Sequence, residues 1–487
     1  MVSVDFQKRY QEHEKLLEKT NFFQRAAKSA LYSERWKKTG VQIEQLKGFS
    51  SLQSLPFISA DDLRQTWEKY SIEEIILTKN VAFWFCTSGS MGKKKWMGWT
   101  YNDINRSKEA IGKRLLNILQ PSDIIMAVIL PPPYISSSIP FRLLEGTAST
   151  GMPIEQIALS PETIQDGFQL LMKRQPTVFF CTPSLAMRLA EEIGRNTPRI
   201  LKQMAKDKKS AKLHLASLIT KIKTIKPKQV FKKMRVGFFT SEPLAPFRKA
   251  IEELYDIEVY DYYGFTEGFG AGIECSLHEG LHFSSLNGII EIIPEKELVL
   301  EEKNPGYIPK TLLFSEVEKG LVGELVITDF KEAMPLIRYR LRDKVKVLAA
   351  DECSCGSITP RLEIIGRTDD VINLGIIRFS AIKFDSIFKS NFKHGQVALW
   401  EVYVSREGFK PKLTLTIEPS QVSNEEQFKE EILAALLEFR TFKLGLENEL
   451  FVFDSVKIVD KLKLEIIGQG KRRRIRYDPN FLKTVKY

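Results

Sequence analysis

Short apolar runs alternate with helical patterns over residues 81–265. The first four runs lie at 82–86, 123–130, 177–181 and 236–239, and each precedes a segment with apolar residues at helical spacing. We predict those helices at 101–119, 139–146, 183–193 and 244–254, and a fifth strand at 258–262. Residues 1–75 are also predicted to be mostly helical. Strands that alternate with helices are typical of a parallel sheet with crossover helices.

The pattern changes after residue 270, where short strands are separated by turns. These strands are predicted at 282–283, 288–293, 324–328 and 344–348, and they suggest an antiparallel sheet or small barrel attached to the α/β core. After the segment GRTDD at 366–370, strands at 396–404, 412–417 and 450–459 accompany a helix at 425–440. This last part is long enough to fold as its own α+β domain.

The expected fold class is therefore α/β. A large N-terminal domain (1–366) would hold mixed, mostly parallel sheets and a small β-barrel-like part. A small α+β C-terminal domain would span 367–487.

The composition is that of an ordinary globular protein, with 43% hydrophobic and 27% charged residues over a length of 487. It excludes a disordered chain and a disulfide-stapled miniature. Apolar runs such as DIIMAVIL at 123–130 are far shorter than the ~18 residues of a membrane-spanning helix. The N-terminal segment is charged and lacks the apolar core of a signal peptide, so we expect a cytoplasmic protein.

Positive charge is concentrated in one segment. The chain has a formal net charge of +11. Residues 202–235 hold eleven lysines, one arginine and one aspartate, so this segment alone carries +11 and the rest of the chain is close to neutral. Such a run is usually a solvated helix face. The alternative is a docking site for a polyanion: a nucleotide-containing cofactor, an acidic carrier protein or nucleic acid. Nucleic acid is least favoured, because Phe231 is the only aromatic residue there and single-strand binders stack bases on aromatic rings.

The five cysteines are too sparse for a disulfide framework. Cys86 and Cys181 lie in apolar runs and are expected to be buried in strands. Cys275, Cys353 and Cys355 lie instead in loops rich in glycine, serine and glutamate, so they require a separate explanation.

A loop of small residues follows the first strand, in the segment FCTSGSMGKKK at 85–95. Backbone amides and hydroxyls in such a loop can converge on phosphate oxygens, and the lysines add charge. The spacing fits neither a Walker loop nor a dinucleotide fingerprint. Taken alone, an ordinary flexible turn explains it as well.

Three further segments suit a nucleotide site. DYYGFTE at 261–267 ends a strand and offers an aromatic ring, a hydroxyl and a carboxylate that could hold Mg²⁺. RYRLRD at 338–343 precedes GRTDD, and GQGK at 468–471 places a lysine in a glycine loop. Each is individually compatible with a solvated turn.

Together, in this order, the four segments resemble the adenylate-forming superfamily of acyl-CoA ligases, adenylation domains and luciferases. The similarity is greatest to the phenylacetate–CoA ligase branch, whose motifs TSGTTGKPT, DxYGxSE, RYRTRD, CxCG…PRI and GRxDD correspond here to TSGSMGKKK, DYYGFTE, RYRLRD, CSCGSITPRL and GRTDD. The resemblance covers about residues 80–475.

The resemblance implies a set of site residues. The ATP β- and γ-phosphates would be held by Thr87, Ser88, Gly89, Ser90, Gly92 and Lys93. The adenine slot would be formed by Ser241, Glu242 and Pro243, which stand where the family has a GAEP-like loop, and by the DYYG segment, Asp261, Tyr262, Tyr263 and Gly264, with Tyr263 stacked on the base.

The resemblance also implies the catalytic groups. Thr266 would contact the α-phosphate and Glu267 would hold Mg²⁺. Asp343 would accept hydrogen bonds from the ribose hydroxyls, with Arg367 assisting. Asp369 would be the hinge of a mobile C-terminal lid, and Lys471 would stabilise the charge that develops on the α-phosphate during adenylation.

The chain departs from the family pattern at several positions. Met91 replaces a hydroxyl residue and Lys94 a proline. The glycine-rich acid-pocket segment reads PYISSSIP at 133–140, which implies a reshaped pocket and an acid other than phenylacetate. The approach to Lys471 lacks the usual proline, and Arg472 is a rival cation.

A structural zinc site is expected at Cys275, His282, Cys353 and Cys355. Three thiolates and one imidazole match a closed tetrahedral site, although spacing alone fits unrelated loop cysteines equally well. The resemblance favours the site, because EC…GLH and CxCG both recur in the branch. His278 is the rival ligand. His282 is preferred because it falls in a strand-like triplet.

The leading hypothesis is an ATP-dependent ligase that forms an acyl-adenylate and transfers the aryl or acyl group to CoA. One alternative delivers the acyl group to a carrier-protein thiol or an amine, and the basic segment suits either CoA or an acidic carrier. A second alternative is a nucleotide-binding protein without catalysis. Against it stand the intact Glu267, Asp343 and Lys471.

Overall fold

The computed structural model describes residues 2–86, 95–106, 115, 117–128, 152–160, 163–207, 225–265, 267–268, 271–283, 288–304, 306–368, 371–374, 377–464, 466–467, 471–472, 474–481 and 483. No helix among these residues is long and apolar enough to cross a bilayer.

The N-terminal segment is helical, as predicted, and packs on the central sheet. Its helices are α1 (Val4–Lys19), α2 (Phe22–Ala26), α3 (Ala30–Lys38), α4 (Gly48–Ser54), α5 (Ala60–Lys69) and α6 (Ile72–Ile75). Buried tyrosines tie them to the rest of the chain. The Tyr10 hydroxyl donates to the Ile290 carbonyl at 2.5 Å, and the Tyr32 hydroxyl donates to the Pro335 carbonyl at 2.9 Å.

A twelve-stranded sheet forms the centre of the molecule. Its strands are β3 (Ile124–Val128), β4 (Glu155–Leu159), β5 (Val178–Cys181), β6 (Val236–Thr240), β7 (Glu258–Gly264), β8 (Ala271–Glu274), β9 (Leu281–Phe283), β10 (Gly288–Pro294), β11 (Leu312–Leu313), β12 (Val322–Asp329), β13 (Tyr339–Ala349) and β14 (Arg361–Arg367). Their spatial order is β11-β10-β12-β13-β14-β9-β8-β7-β6-β5-β3-β4. Two further strands, β1 (Phe83–Cys86) and β2 (Trp96–Trp99), form a separate antiparallel pair.

Strands β3 to β7 form the parallel half, and the predicted alternation of strands and helices is confirmed from β4 to β7. The predicted helix at 139–146 and part of that at 101–119 lie outside the described residues. The described helices of this half are α7 (Ile164–Arg174), α8 (Pro183–Asp207), α9 (Pro227–Val230) and α10 (Arg248–Tyr255). All four residues of β5 are buried, as expected for a strand covered on both faces. Helix α8 runs well past the predicted end at 193. Helix α10 begins four residues after the predicted start at 244, because residues 241–247 form turns.

Strands β7 to β14 form an antiparallel half, together with helix α11 (Glu295–Lys303). The mixed α/β class is confirmed. The antiparallel strands continue directly from the parallel half as one sheet, and they curl so that β7 and β13 come into contact. The sheet is not mostly parallel, however. Its described pairings are four parallel and seven antiparallel, because consecutive short strands joined by turns pair as neighbours.

The C-terminal part has its own sheet and core. The long hairpin of β17 (Gly395–Glu407) and β18 (Lys410–Val422) is flanked by β19 (Val452–Ile458) and β22 (Ile475–Tyr477), in the order β19-β18-β17-β22. Smaller elements are strands β15 (Val371–Leu374), β16 (Ile377–Ser380), β20 (Ile466–Ile467) and β21 (Lys471–Arg472), and helices α12 (Ala381–Phe388), α13 (Glu425–Glu438) and α14 (Arg440–Glu447). The described hydrophobic core of this part is drawn from residues 372–481.

The tip of the β17–β18 hairpin packs against the N-terminal part. Phe409 is 6% exposed and belongs to the core that α8 and α10 form with the parallel strands. The Arg406 guanidinium lies 4.6 Å from the centre of the Phe247 ring. Lys410 lies within ion-pair distance of Glu191 on α8, at 3.9 Å. In this conformation the C-terminal part therefore contacts the N-terminal part through the tip of the hairpin.

Candidate active site

The predicted phosphate loop connects two paired strands. Cys86 at the end of β1 pairs with Trp96 at the start of β2, so residues 87–95 form the connection of a hairpin. All six residues assigned to this loop lie outside the described residues: Thr87, Ser88, Gly89, Ser90, Gly92 and Lys93. Thr266 and Asp369 also lie outside them. The acid-pocket segment at 133–140 and residues 208–224 of the basic segment do so as well.

Residues from both halves of the sheet meet at the predicted ribose site. The Tyr263 hydroxyl on β7 donates to Asp343 Oδ2 on β13 at 2.5 Å. Arg367, at the end of β14, donates to Asp343 Oδ1 at 2.7 Å. The Tyr263 ring also packs against Phe283, with ring centres 5.3 Å apart. The structure therefore brings together a tyrosine, a carboxylate and a guanidinium from three different strands.

Tyr262 and Asp261 have different surroundings. Successive residues of a strand face opposite sides, so Tyr262 faces away from Tyr263 and packs against Phe180 in the core. Asp261 is buried beside Glu274. Burial, and secondarily the charge of Glu274, raises the pKa of Asp261 to about 8. Both residues thus have close partners within the fold, and Gly264 ends the strand.

A buried ion pair holds the predicted magnesium ligand. Lys95 Nζ donates to Glu267 Oε1 at 2.6 Å, and the Tyr339 hydroxyl donates to the same oxygen at 2.9 Å. Lys95 is 7% exposed and Glu267 is 9% exposed. Burial raises the pKa of the Glu267 carboxyl, but the Lys95 ammonium and both hydrogen bonds outweigh burial and lower that pKa to about 2. The Lys331 ammonium donates to the Glu267 carbonyl.

Sequence analysis did not identify Lys95 or Tyr339 as site residues. Lys93, Lys94 and Lys95 look alike in the sequence, and no local pattern distinguishes a lysine that is buried from two others. One signal was available. Lys95 stands where the phenylacetate-ligase motif has threonine, directly before an apolar strand.

The predicted adenine loop, residues 241–243, lies beside the first turn of helix α8. Ser241 has a left-handed backbone with φ of 74°. The next residue, Glu242, accepts a hydrogen bond from the Ser184 amide at the start of α8, at 2.6 Å. Burial raises the pKa of Glu242, while the Ser184 contacts and the charge of Arg406 act against that rise. The loop is thus connected both to α8 and to the C-terminal hairpin, and Pro243 continues it toward α10.

Lys471 lies on β21, which pairs with β20 in the register Ile467 to Lys471. Arg472 pairs with Ile466 in the same two strands.

The four predicted zinc ligands converge. The ligand atoms of Cys275, His282, Cys353 and Cys355 all lie within 4.8 Å of one another. Cys275 Sγ lies 3.9 Å from Cys353 Sγ, and Cys355 Sγ lies 3.5 Å from His282 Nε2. A tetrahedral zinc site with ordinary bond lengths requires about 3.8 Å between sulfurs and about 3.5 Å between sulfur and nitrogen. The spacing therefore matches a tetrahedral metal site.

The surroundings of the cluster fit the same interpretation. His282 Nδ1 lies 3.3 Å from Thr359 Oγ1, a partner that orients the ring so that Nε2 faces the thiols. The rival His278 contacts Glu274 and Glu258 instead. Burial, and secondarily the neighbouring cysteines, raises the pKa of Cys275 to about 12 when no cation is present.

No protein-family profile matches the chain. It is similar to phenylacetate-coenzyme A ligase of Pseudomonas putida, with 25% identity over 388 residues, or 78% of this chain and 74% of that protein. The enzyme of the same name from Thermus thermophilus is 24% identical over 459 residues, which cover 90% of this chain and 89% of that protein.

Solved structures share the fold. A 2-hydroxyisobutyryl-CoA ligase in complex with 2-HIB-AMP and CoA superposes with a TM-score of 0.64 at 22% identity, covering 96% of this chain and 90% of the other. An acyl acid amido synthetase in complex with 2,4-DB has a TM-score of 0.53 at 14% identity, covering 92% and 86%.

Proposed function

Because the chain belongs to the adenylate-forming superfamily, in its phenylacetate–CoA ligase-like branch, we propose that it is an AMP-forming acid–thiol ligase. In the first half-reaction a carboxylate oxygen attacks the α-phosphorus of ATP and pyrophosphate leaves, which gives an acyl-adenylate. In the second, the CoA thiol attacks the acyl carbon, and AMP leaves as the thioester forms and the thiol proton is released. The substrate is an aryl or acyl carboxylic acid.

The contact of Tyr263, Asp343 and Arg367 is the single observation that carries this proposal. These side chains lie beside the carboxyl end of β7, and ligands of open α/β sheets bind outside the carboxyl ends of parallel strands. The Asp343 carboxylate would accept hydrogen bonds from the ribose hydroxyls, and the Tyr263 ring would stack on adenine against the loop of Ser241, Glu242 and Pro243. Arg367 would orient Asp343.

The phosphates would bind where the β1–β2 hairpin meets Glu267. Thr87 to Lys93 would contact the β- and γ-phosphates, and Thr266 the α-phosphate. A carboxylate beside phosphate oxygens is a ligand set that Mg²⁺ accepts, so Glu267 fits a magnesium role. Mg²⁺ would neutralise phosphate charge, while Lys95 and Tyr339 keep the Glu267 carboxylate ionised and in place.

The C-terminal residues 367–487 would act as a mobile lid on the body formed by 1–366. Lys471 would bind the α-phosphate oxygens during adenylation, and Asp369 would be the hinge. The separate core of residues 372–481 supports a unit that moves as a whole.

The cysteine–histidine cluster would hold one Zn²⁺. Its four protein ligands leave no open position for water or substrate, so the metal would contribute stability and no chemistry. Thiolate ligands must stay reduced, which supports a cytoplasmic location.

A carrier-protein thiol or an amine is the alternative acceptor, and the basic segment at 202–235 favours an acidic partner of either kind. A third candidate is nucleotide binding without catalysis. It would give no chemical role to Glu267, which pairs with Lys95, or to Asp343, which pairs with Arg367.

The proposal is tested by ATP–pyrophosphate exchange with a panel of aryl and acyl acids. At least one acid should support exchange in the wild-type protein, and Asp343→Asn should reduce that exchange strongly. Addition of CoA should then yield the acyl-CoA and AMP in equal amounts. Exchange without thioester, restored by a carrier protein or an amine, would assign the alternative acceptor. ATP binding without exchange for any acid would contradict an enzyme.

A further inference from the structure

The antiparallel half of the sheet is sharply curled. Tyr263 on β7 and Asp343 on β13 are in hydrogen-bond contact, yet three strands (β8, β9 and β14) lie between them in the sheet order. In a flat sheet, strands separated in this way would be about 19 Å apart. The proposed nucleotide site therefore exists only while these five strands keep their curl.

The weakest part of the curl is the junction between β9 and β14. Among the described residues it consists of two pairs, Leu281 with Leu362 and His282 with Arg361. By comparison, β13 and β14 pair over six positions. Gly280, next to the junction, has a φ of 106°, and a Cβ there would lie 3.2 Å from the carbonyl oxygen of Leu362 on β14. The strands approach closely here with few backbone hydrogen bonds.

The cysteine–histidine cluster spans this junction. Cys275 directly follows β8 and His282 lies on β9, on one side of it. Cys353 and Cys355 lie in the connection between β13 and β14, on the other side. Two ligands thus come from each side, and His282 is itself part of the short pairing.

We propose that the metal held by this cluster fastens the β9–β14 junction and thereby positions Tyr263 against Asp343. The cluster lies at the opposite end of the β13–β14 hairpin from Asp343 and Arg367, so the metal acts as a positioning group and touches no substrate. The inference rests on the proposed function, because it links the metal to nucleotide binding. Loss of the metal should weaken ATP binding and leave turnover of bound ATP largely intact.

The test uses the full chain, with zinc content measured on protein purified without chelator and ATP affinity measured by calorimetry. Wild-type protein should hold one zinc per chain. Cys355→Ser, at the exposed end of the cluster, should lose it. The variant's Kd and KM for ATP should rise by about tenfold or more, a loss of about 1.4 kcal/mol in binding free energy, while kcat stays within about threefold. A zinc-free variant with unchanged ATP affinity would overturn the inference.

A second experiment uses wild-type protein loaded with Co²⁺, so that the test does not depend on whether the variant folds. It should show the visible absorption of a tetrahedral cobalt–thiolate site, and its ATP affinity should equal that of the zinc form. Protein that lacks both metals but binds ATP with the same affinity would also overturn the inference. Cys181→Ala, which removes a buried thiol outside the cluster, should keep both zinc and affinity. Failure of zinc-loaded wild-type protein to bind ATP at all would contradict the proposed function instead.

Discussion

The Lys95 ammonium and the Glu267 carboxylate form a buried ion pair at 2.6 Å across 172 residues of chain. This contact ties the hairpin that carries the predicted phosphate loop to the segment that follows β7. It places a positive charge beside the carboxylate that we assign to Mg²⁺. Since both groups are buried, removal of either one would leave a buried charge without its partner.

Removal of Lys95 should therefore destabilise the fold. Lys95→Met keeps most of the side-chain volume but leaves the Glu267 carboxylate buried without its counter-ion. We expect a loss of about 3–5 kcal/mol in the free energy of unfolding, measured by urea denaturation. Lys69→Met is the matched control, because Lys69 pairs with Glu34 on the surface, where water solvates both charges, so its loss should be much smaller. Equal losses in the two variants would contradict a buried pair.

The same pair predicts an acid dependence of stability. The pKa of Glu267 is lowered to about 2 in the folded protein, below its ordinary value of 4.5. Its stabilising contribution is therefore complete above pH 4.5 and is lost as the pH falls from there toward 2. Glu267→Gln should show a smaller loss of stability than wild type over this interval when melting temperatures are compared. A parallel decline in both proteins would show that other carboxylates dominate.

Phe409 should control the attachment of the C-terminal hairpin. Phe409→Ala removes a ring buried in the core of the N-terminal part and should cost about 3–5 kcal/mol locally. We expect faster amide hydrogen exchange at residues 407–410. Phe428→Ala, which opens a cavity inside the C-terminal core, should leave protection of the tip unchanged. Unaltered exchange at the tip in Phe409→Ala would argue against docking through this ring.

The sequence was sufficient for features that depend on local periodicity. The runs at 123–130, 177–181 and 236–239 contain parallel strands because each is apolar on both faces, and the last two precede described helices. His282 could be preferred over His278 as the partner of the thiols because it lies in a strand, which fixes the direction of the ring.

Long-range features could not be predicted in the same way. The joining of β7, β8 and β9 to the rest of the antiparallel half depends on the two-pair junction of β9 and β14, which no local pattern marks. Lys95 and Phe409 gain their partners only through tertiary packing. A lysine at the end of a basic run and a phenylalanine in a hairpin turn both look exposed until their partners are known.

The hinge assignment predicts that one half-reaction can be impaired without the other. Asp369→Pro should fix φ at the boundary of the lid and restrict its rotation. We expect adenylation, measured by ATP–pyrophosphate exchange, to persist. Thioester formation should fall by about tenfold or more. Asp369→Ala, which keeps backbone freedom, should retain thioester formation. If Asp369→Pro changes neither half-reaction, rotation about this residue is not part of the cycle.

Lys471 should show the opposite selectivity. Lys471→Ala removes the cation proposed to stabilise charge on the α-phosphate as pyrophosphate leaves, so adenylate formation should fall by about 10²-fold or more. The second half-reaction, started from chemically prepared acyl-adenylate and CoA, should proceed at close to the wild-type rate, because that step needs no charge stabilisation at the departing pyrophosphate. Arg472→Ala, at the neighbouring position of β21, is the matched control and should retain both half-reactions. Loss of adenylation in Arg472→Ala but not in Lys471→Ala would transfer the role to the arginine, and equal loss of both half-reactions in Lys471→Ala would remove the proposed specialisation.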